Sequence, residues 1–251
     1  MIELRSKIVL ITGGSRGIGA ACVKLFAKAG AAVAFTYQSN EDAAEKLIKN
    51  FSQNSKVKAY KCDLNSSEEI KNTVDKVCSD FGKIDVLVNN AGIWKYGTAD
   101  KMSLKDWEET IRINLTGTFL FTQAVIPLMK KNKFGRIINI TSTAGQRGEA
   151  NYSHYASSKG GVISFTKSMA TELGPYNITT NSVAPGWVYT DMTSDELSDK
   201  KYRKKIEEDI PLKRVATAED VAGPVLFLAS DLAKHINGEI LNVNGGSILC
   251  G

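Results

Sequence analysis

With 251 residues, 43% of them hydrophobic and 24% charged, the chain has the composition of a soluble globular protein, large enough to bury a sizeable core without disulfides or metal. No stretch approaches the roughly 20 apolar residues that span a bilayer, the most apolar run at 221–229 being too short, so a membrane-embedded role is excluded. The formal charge of +5 is scattered, with clusters no larger than 130–133 and 200–205, which disfavours nucleic acid as a partner while suiting an anionic cofactor or substrate.

Residues 1–10 lack the long apolar run and cleavage site of a signal peptide, so the protein is expected in the cytoplasm. Short β-branched runs then alternate with longer helix-patterned segments. Strands are predicted over 7–11, 32–36, 57–62, 84–88, 136–140, 178–183 and 239–243. These runs lack clean period-two alternation, as strands covered on both faces do, so an α/β fold is expected: a doubly wound seven-stranded parallel sheet with helices on both faces. Ser66-Ser67-Glu68-Glu69 has the pattern of a capping box, Ser103-Leu104-Lys105-Asp106 marks another helix start, and Gly30, Gly82 and Gly174 sit where helix C-caps belong. A helix over 151–173 is expected, and residues 192–210, polar and charged, read as a mobile lid. The helix at 220–230 is unusually apolar, which suits either a subunit interface or burial within one subunit. No repeat or linker divides the chain, so one domain over 1–251 is expected. Cys22, Cys62, Cys78 and Cys250 form no C-x-x-C pair and stand near no pair of histidines; they read as buried thiols, with neither a disulfide framework nor a metal site.

The first chemical signal follows the first strand. Thr12-Gly13-Gly14-Ser15-Arg16-Gly17-Ile18-Gly19 opens an amphipathic helix over 20–29, whose N-terminal N–H groups and dipole can receive a pyrophosphate. Gly13 would permit the tight turn, Gly17 the approach of a dinucleotide, and Gly19 close packing of helix on strand. The spacing is Gly-x-x-x-Gly-x-Gly. Ser15, Arg16 and Ile18 complete the turn that would contact the cofactor.

Further motifs come in a fixed order: Asn89-Asn90-Ala91-Gly92 after the fourth strand, Asn114 in a mid-domain helix, Ser142 after the fifth strand, Tyr155-x-x-x-Lys159, Pro185-Gly186 with Val188 and Thr190, and Asn242-Val243-Asn244-Gly245-Gly246. Together with the glycine turn they resemble the shorter-chain branch of the short-chain dehydrogenase/reductase family, over essentially the whole length. The resemblance implies a single Rossmann-fold domain and an NADP(H)- or NAD(H)-dependent oxidoreductase interconverting a carbonyl and a hydroxyl. It implies Tyr155 as general acid in reduction and base in oxidation, with Lys159 also holding the nicotinamide ribose. Ser142 would bond the substrate oxygen, Asn114 would support a water linking Lys159 to solvent, and Asn90, Ala91, Gly92, Pro185, Gly186, Val188 and Thr190 would line the cofactor site. Asp63 is either a helix cap or the adenine contact. A homotetramer is also implied.

The chemistry supports this set independently. A tyrosine hydroxyl, with a reference pKa of about 10, is a poor base unless a cation stabilises its phenolate. Lys159, four positions on along a helix, would project from the same face and supply that cation. Tyr152 has Ala156 four positions on and lacks the arrangement. His154 is turned about 100 degrees from Tyr155 and is not expected to act.

Cofactor choice turns on charge at the adenosine ribose. NAD users of this fold carry an acidic residue at the end of the second strand, whereas this chain has Tyr37-Gln38-Ser39-Asn40 there, with Arg16 placed to pair with a 2′-phosphate; NADP(H) is expected. Within the family the chain most resembles the 3-oxoacyl-(acyl carrier protein) reductases, through Asn114-Leu115-Thr116-Gly117, residues 135–140 and Thr190-Asp191-Met192-Thr193. It departs from them at Ile93-Trp94-Lys95-Tyr96, where Thr-Arg-Asp often follows the Asn-Ala-Gly motif, and at Tyr176, where a basic residue able to contact an acidic carrier belongs. Trp94, Trp187 and Tyr189 line a substrate mouth or belong to the core. A sugar, polyol or small-alcohol dehydrogenase is the alternative substrate class, and a non-catalytic NADP-binding protein the alternative function class.

Overall fold

In the computed structural model, residues 2–51 and 56–249 are described; Cys250 lies outside them. Seven parallel strands, β1 (Ile8–Ile11), β2 (Ala32–Tyr37), β3 (Val57–Lys61), β4 (Val86–Asn89), β5 (Gly135–Ile140), β6 (Ile178–Pro185) and β7 (Ile240–Val243), form one sheet in the order β3-β2-β1-β4-β5-β6-β7. All seven predicted strands are present, with ends displaced by one or two residues.

The absence of alternation in the strand sequences has a direct cause. Along β1, Val9 and Ile11 enter one core and Leu10 the other; β2 splits Val33 and Phe35 from Ala34 in the same way, and β4 splits Val86 and Val88 from Leu87. Each pleat face is apolar because helices cover both. One face carries α1 (Gly17–Lys28), α2 (Glu41–Lys49) and α10 (Ala218–Ala229). The other carries α3 (Ser67–Phe81), α5 (Gly117–Asn132) and α7 (Ser153–Leu173). The apolar side chains Val221, Val225, Leu226 and Leu228 of α10 are buried within this chain, as the core reading of that segment expects, while Gly223, Pro224 and Phe227 stay half-buried.

The chain moves outward from β1 to β2 and β3, then returns to β4 on the other side of β1. That reversal opens a crevice at the carboxyl ends of β1 and β4, where sheets of this kind bind ligands.

Local chemistry explains most helix ends. The Ser66 and Ser103 hydroxyls accept from the N–H of Glu69 and Asp106, so α3 and α4 (Leu104–Ile111) begin where expected. The capping box at Ser66 is only half made, because the Glu69 carboxylate reaches back to accept from the N–H of Asp63, at 2.9 Å, and not from that of Ser66. Gly82 closes α3 at φ 84, whereas Gly174, at φ −50, carries α7 on into a single 3-10 turn (Gly174–Tyr176) that ends at left-handed Asn177. The lid segment is ordered into α8 (Ser194–Ser198) and α9 (Lys200–Asp209), held by a small core of Leu197, Ile206, Ile210 and Val215 against Trp187. Between α4 and α5 lies a π-helical turn (Arg112–Thr116), and after β5 a short α6 (Thr143–Arg147). Cys22 and Cys62 are buried and Cys78 half-buried, all three as free thiols. Among the described residues no helix is long and apolar enough to cross a membrane.

The start of α10 supplies a stability test. Thr217 and Asp220 form a full capping box, and Arg214 donates to the Asp220 carboxylate. The Arg214 guanidinium and the Thr217 N–H together hold the Asp220 carboxyl down at about 2. Asp220→Ala is expected to cost about 1 kcal/mol through the lost cap, the exposed ion pair adding little. Because the folded pKa is depressed, this contribution is complete above the ordinary carboxyl range and disappears as pH falls toward 2. Urea titrations of both proteins should therefore differ at pH 7 and converge in strong acid.

Candidate active site

The glycine turn is built from three sides. Gly13 and Gly17 take left-handed backbone, at φ 65 and 53. From β2, the Thr36 hydroxyl accepts from the Gly13 N–H at 3.1 Å and the Thr36 carbonyl from the Gly14 N–H at 2.8 Å. From the β4 side, the Asn90 amide donates to the carbonyls of Thr12 and Gly13 at 2.9 and 3.0 Å. The Thr12 hydroxyl in turn accepts from the N–H groups of Asn90 and Ala91. Helix α1 then begins with no side-chain cap and no acidic residue in its first turn, leaving its N–H groups and positive dipole end for an anion.

A cavity of about 400 Å³ opens over this turn, from Tyr37, Gln38, Ser39 and Asn40 at the end of β2 to Ser142, Tyr155 and Lys159 at the far side. Every residue expected to contact a cofactor lines it except Gly19 and Asp63. Gly19 sits behind the turn, where a Cβ would lie 2.1 Å from the Gly13 carbonyl oxygen; the close approach is to the turn itself and not to the strand. Asp63 is engaged elsewhere, its Oδ1 accepting from Gln38 Nε2 and from the Asn65 backbone and side chain at 3.0–3.1 Å.

Ser142 stands at the N-cap of α6, where its Oγ accepts from the Ala144 N–H at 3.1 Å, and it lines the cavity with Tyr155, whose pKa it lowers. Tyr155 and Lys159 lie on one face of α7, the Lys159 ammonium 5.8 Å from the Tyr155 ring centroid and donating to the Ile140 carbonyl at 2.7 Å. Asn114 belongs to the π-helical turn and does not line the cavity. It clamps the loop after β4, accepting from the Ile93 N–H at 2.8 Å and donating to the Ile93 carbonyl at 2.9 Å, and it donates to Ser158 Oγ on α7 at 3.1 Å.

The chain is similar to known proteins over nearly its whole length. The family described as enoyl-(acyl carrier protein) reductase matches residues 13–247. The chain belongs to the short-chain dehydrogenase/reductase family. It is 43% identical over 250 residues to the 3-oxoacyl-(acyl-carrier-protein) reductase of Aquifex aeolicus, covering 98% of each chain. It is 41% identical over 241 residues to the acetoacetyl-CoA reductase of Shinella zoogloeoides, covering 96% of this chain and 98% of that one. The crystal structure of gox2181 superimposes with a TM-score of 0.94 at 32% identity, over 98% of this chain and 97% of the other. This short-chain dehydrogenase/reductase is accordingly an oxidoreductase of CH–OH or ketone groups that uses a nicotinamide cofactor. When bound, that cofactor supplies or accepts hydride. The braced turn, the uncapped helix and the cavity fit a dinucleotide.

The electrostatics of this enzyme differ from the expectation that Lys159 pulls the Tyr155 pKa down. Burial dominates both groups: it pushes the Tyr155 phenol up to about 12, aided by the Glu149 carboxylate, and the Lys159 ammonium down to about 8. Although Tyr155 faces the cavity, surrounding protein desolvates its phenol, and the lowering influence of Ser142 only partly offsets that. The ammonium, engaged with the Ile140 carbonyl, does not reverse the balance. Tyr155 is therefore a protonated donor at neutral pH.

Trp94 and Trp187 line the cavity, Trp94 stacked on Tyr152 at 4.4 Å and edge-on to Trp187 at 5.8 Å, so both belong to the mouth. Tyr189 does not line it; its hydroxyl donates to Glu207 on α9. His154 is buried beside Gly97 and Met102, away from the cavity, with burial lowering its pKa. Three contributors had escaped the motifs: Thr36, Glu149 and Gly145. A Cβ at Gly145 would lie 2.6 Å from the Lys159 carbonyl carbon, so this glycine lets α6 press Ser142 against α7. Its position three residues after Ser142 was the available signal. The other two act across the fold and leave none.

Proposed function

We propose that this enzyme reduces 3-oxoacyl thioesters with NADPH. Ser142 holds the carbonyl oxygen and Tyr155 donates the proton. Lys159 fixes the cofactor ribose, and Asn114 positions α7 against the loop at Gly92. The observation that carries this reading is that Ser142 and Tyr155 line the same cavity as the glycine turn. Two hydroxyl donors converging on one oxygen suit a developing alkoxide, and a phenol held protonated suits reduction. The Aquifex and Shinella relatives, named for 3-oxoacyl and acetoacetyl thioesters, support the substrate class.

The cofactor form is inferred from charge. No carboxylate stands among Tyr37, Gln38, Ser39 and Asn40, and among the described residues Arg16 is met only by Asp191, 3.7 Å away, both side chains being exposed. A 2′-phosphate would displace so weak a partner. Wild-type kcat/KM is expected to favour NADPH, and Arg16→Ala to lower it about tenfold for NADPH with little change for NADH. A clear NADH preference in the wild type would overturn the assignment.

One observation favours a hydroxylated substrate instead. The Glu149 carboxylate lines the cavity near Tyr155, raised by burial, with Arg147 as its nearest compensating charge; such a group would accept hydrogen bonds from a sugar or polyol. NADPH consumption with acetoacetyl thioesters, sugars and simple ketones separates the two. Activity confined to thioesters supports the first reading, and activity confined to sugars replaces it.

The same reading makes the chain a single cytoplasmic domain that assembles as a homotetramer. An outward pair, Phe119 on α5 and Phe165 on α7, with ring centroids at 6.2 Å, supports assembly through that face. Light scattering that shows a persistent monomer would refute it.

A further inference from the structure

The lid has two faces of opposite character. Its inner face, Leu197, Ile206 and Ile210, packs on Trp187, and the Tyr202 ring stands edge-on to Trp187 at 6.2 Å, so the helix is joined to the wall of the catalytic cavity. Its outer face presents Lys200, Lys201, Lys204 and Lys205, all exposed. Lys201, Tyr202, Lys204 and Lys205 line a shallow concavity together with Asp199 and Glu208. The two acids are already engaged: Asp199 caps α9 by accepting from the N–H groups of Lys201 and Tyr202, and Glu208 meets Lys204 at 3.9 Å. Among the described residues Lys200, Lys201 and Lys205 have no carboxylate partner. Three unpaired ammonium groups on one helix face repel one another, a cost that an anionic partner relieves.

Resting on the thioester reading, we propose that the outer face of α9 is the docking surface for an acidic carrier protein that delivers the acyl group. Charge complementarity selects the occupant, and the Tyr202–Trp187 contact places it beside the mouth through which a tethered substrate enters. This surface is separate from the cluster at Lys130, Lys131 and Lys133, where Lys130 lies 4.3 Å above the Tyr176 ring.

The test compares one acyl group presented in two ways: acetoacetyl on an acyl carrier protein, and acetoacetyl on N-acetylcysteamine, a small neutral thioester. The triple variant K201E/K204E/K205E is expected to raise KM at least tenfold for the carrier-bound substrate, with kcat/KM for the small thioester unchanged. That second activity also reports that the variant is folded. The charge-retaining K201R/K204R/K205R protein should keep the wild-type KM, and added salt should raise the wild-type KM toward that of the reversed variant. An unchanged KM for the carrier substrate in the reversed variant overturns the proposal, as does a tenfold rise produced by K130E/K131E/K133E in its place. If wild-type enzyme turns over neither thioester, the functional reading itself fails and the docking surface falls with it.

Discussion

Replacing Tyr155 by phenylalanine is expected to lower kcat about 10²–10⁴-fold, the range that one positioned proton donor contributes. The substitution removes a single oxygen. The ring stays in α7, Lys159 keeps its bond to the Ile140 carbonyl, and the glycine turn more than a hundred residues away is untouched. Cofactor affinity, read by quenching of protein fluorescence, should therefore match the wild type while turnover collapses. A variant that retained turnover within tenfold of the wild type would show that the proton comes from elsewhere. A non-catalytic dinucleotide-binding protein would show no effect in either measurement.

The second large effect is expected at Gly19. An added Cβ would meet the Gly13 carbonyl oxygen at 2.1 Å and Asn90 Nδ2 at 2.6 Å. Neither can retreat without breaking the bond that Asn90 makes to that same carbonyl. Gly19→Ala should therefore spring the turn open, lowering dinucleotide affinity by about two orders of magnitude and stability by about 1–3 kcal/mol, the usual cost of overpacking. Gly223 in α10 is the matched control. A Cβ there meets nothing within 4 Å, and alanine is the better helix former, so Gly223→Ala should leave cofactor binding alone and raise stability by up to about 1 kcal/mol. Parallel losses in both variants would show that the Gly19 effect is not steric.

Much of this is legible in the amino-acid sequence. The seven strands announced themselves because helices on both faces demand uninterrupted apolar runs, and the Tyr155 to Lys159 spacing reads as one helix face by periodicity alone. What escaped has a common physical origin in contacts between residues far apart in sequence. The Thr12 hydroxyl bonds Asn90 and Ala91 across nearly eighty positions, and a threonine ending a strand carries no mark of that. The π-helical turn at Arg112–Thr116 contains no proline and no glycine to punctuate it, yet it is the turn that holds Asn114. Gly174 looked like a left-handed cap and is not, because Pro175 and Tyr176 continue the spiral to Asn177. The balance between Tyr155 and Lys159 was misjudged for a related reason: spacing shows that two groups share a face, whereas burial and competing partners such as the Ile140 carbonyl decide what charge each bears.

The transfer of hydrogen to a substrate carbonyl can be followed atom by atom. Acetoacetyl N-acetylcysteamine incubated with enzyme and NADPH deuterated at both C4 positions should yield the 3-hydroxy product with one deuterium on C3, matched by one NADP⁺ formed. Enzyme that binds the cofactor but leaves C3 unlabelled, with no alcohol produced, would contradict the assignment of Ser142, Tyr155 and Lys159 to carbonyl reduction.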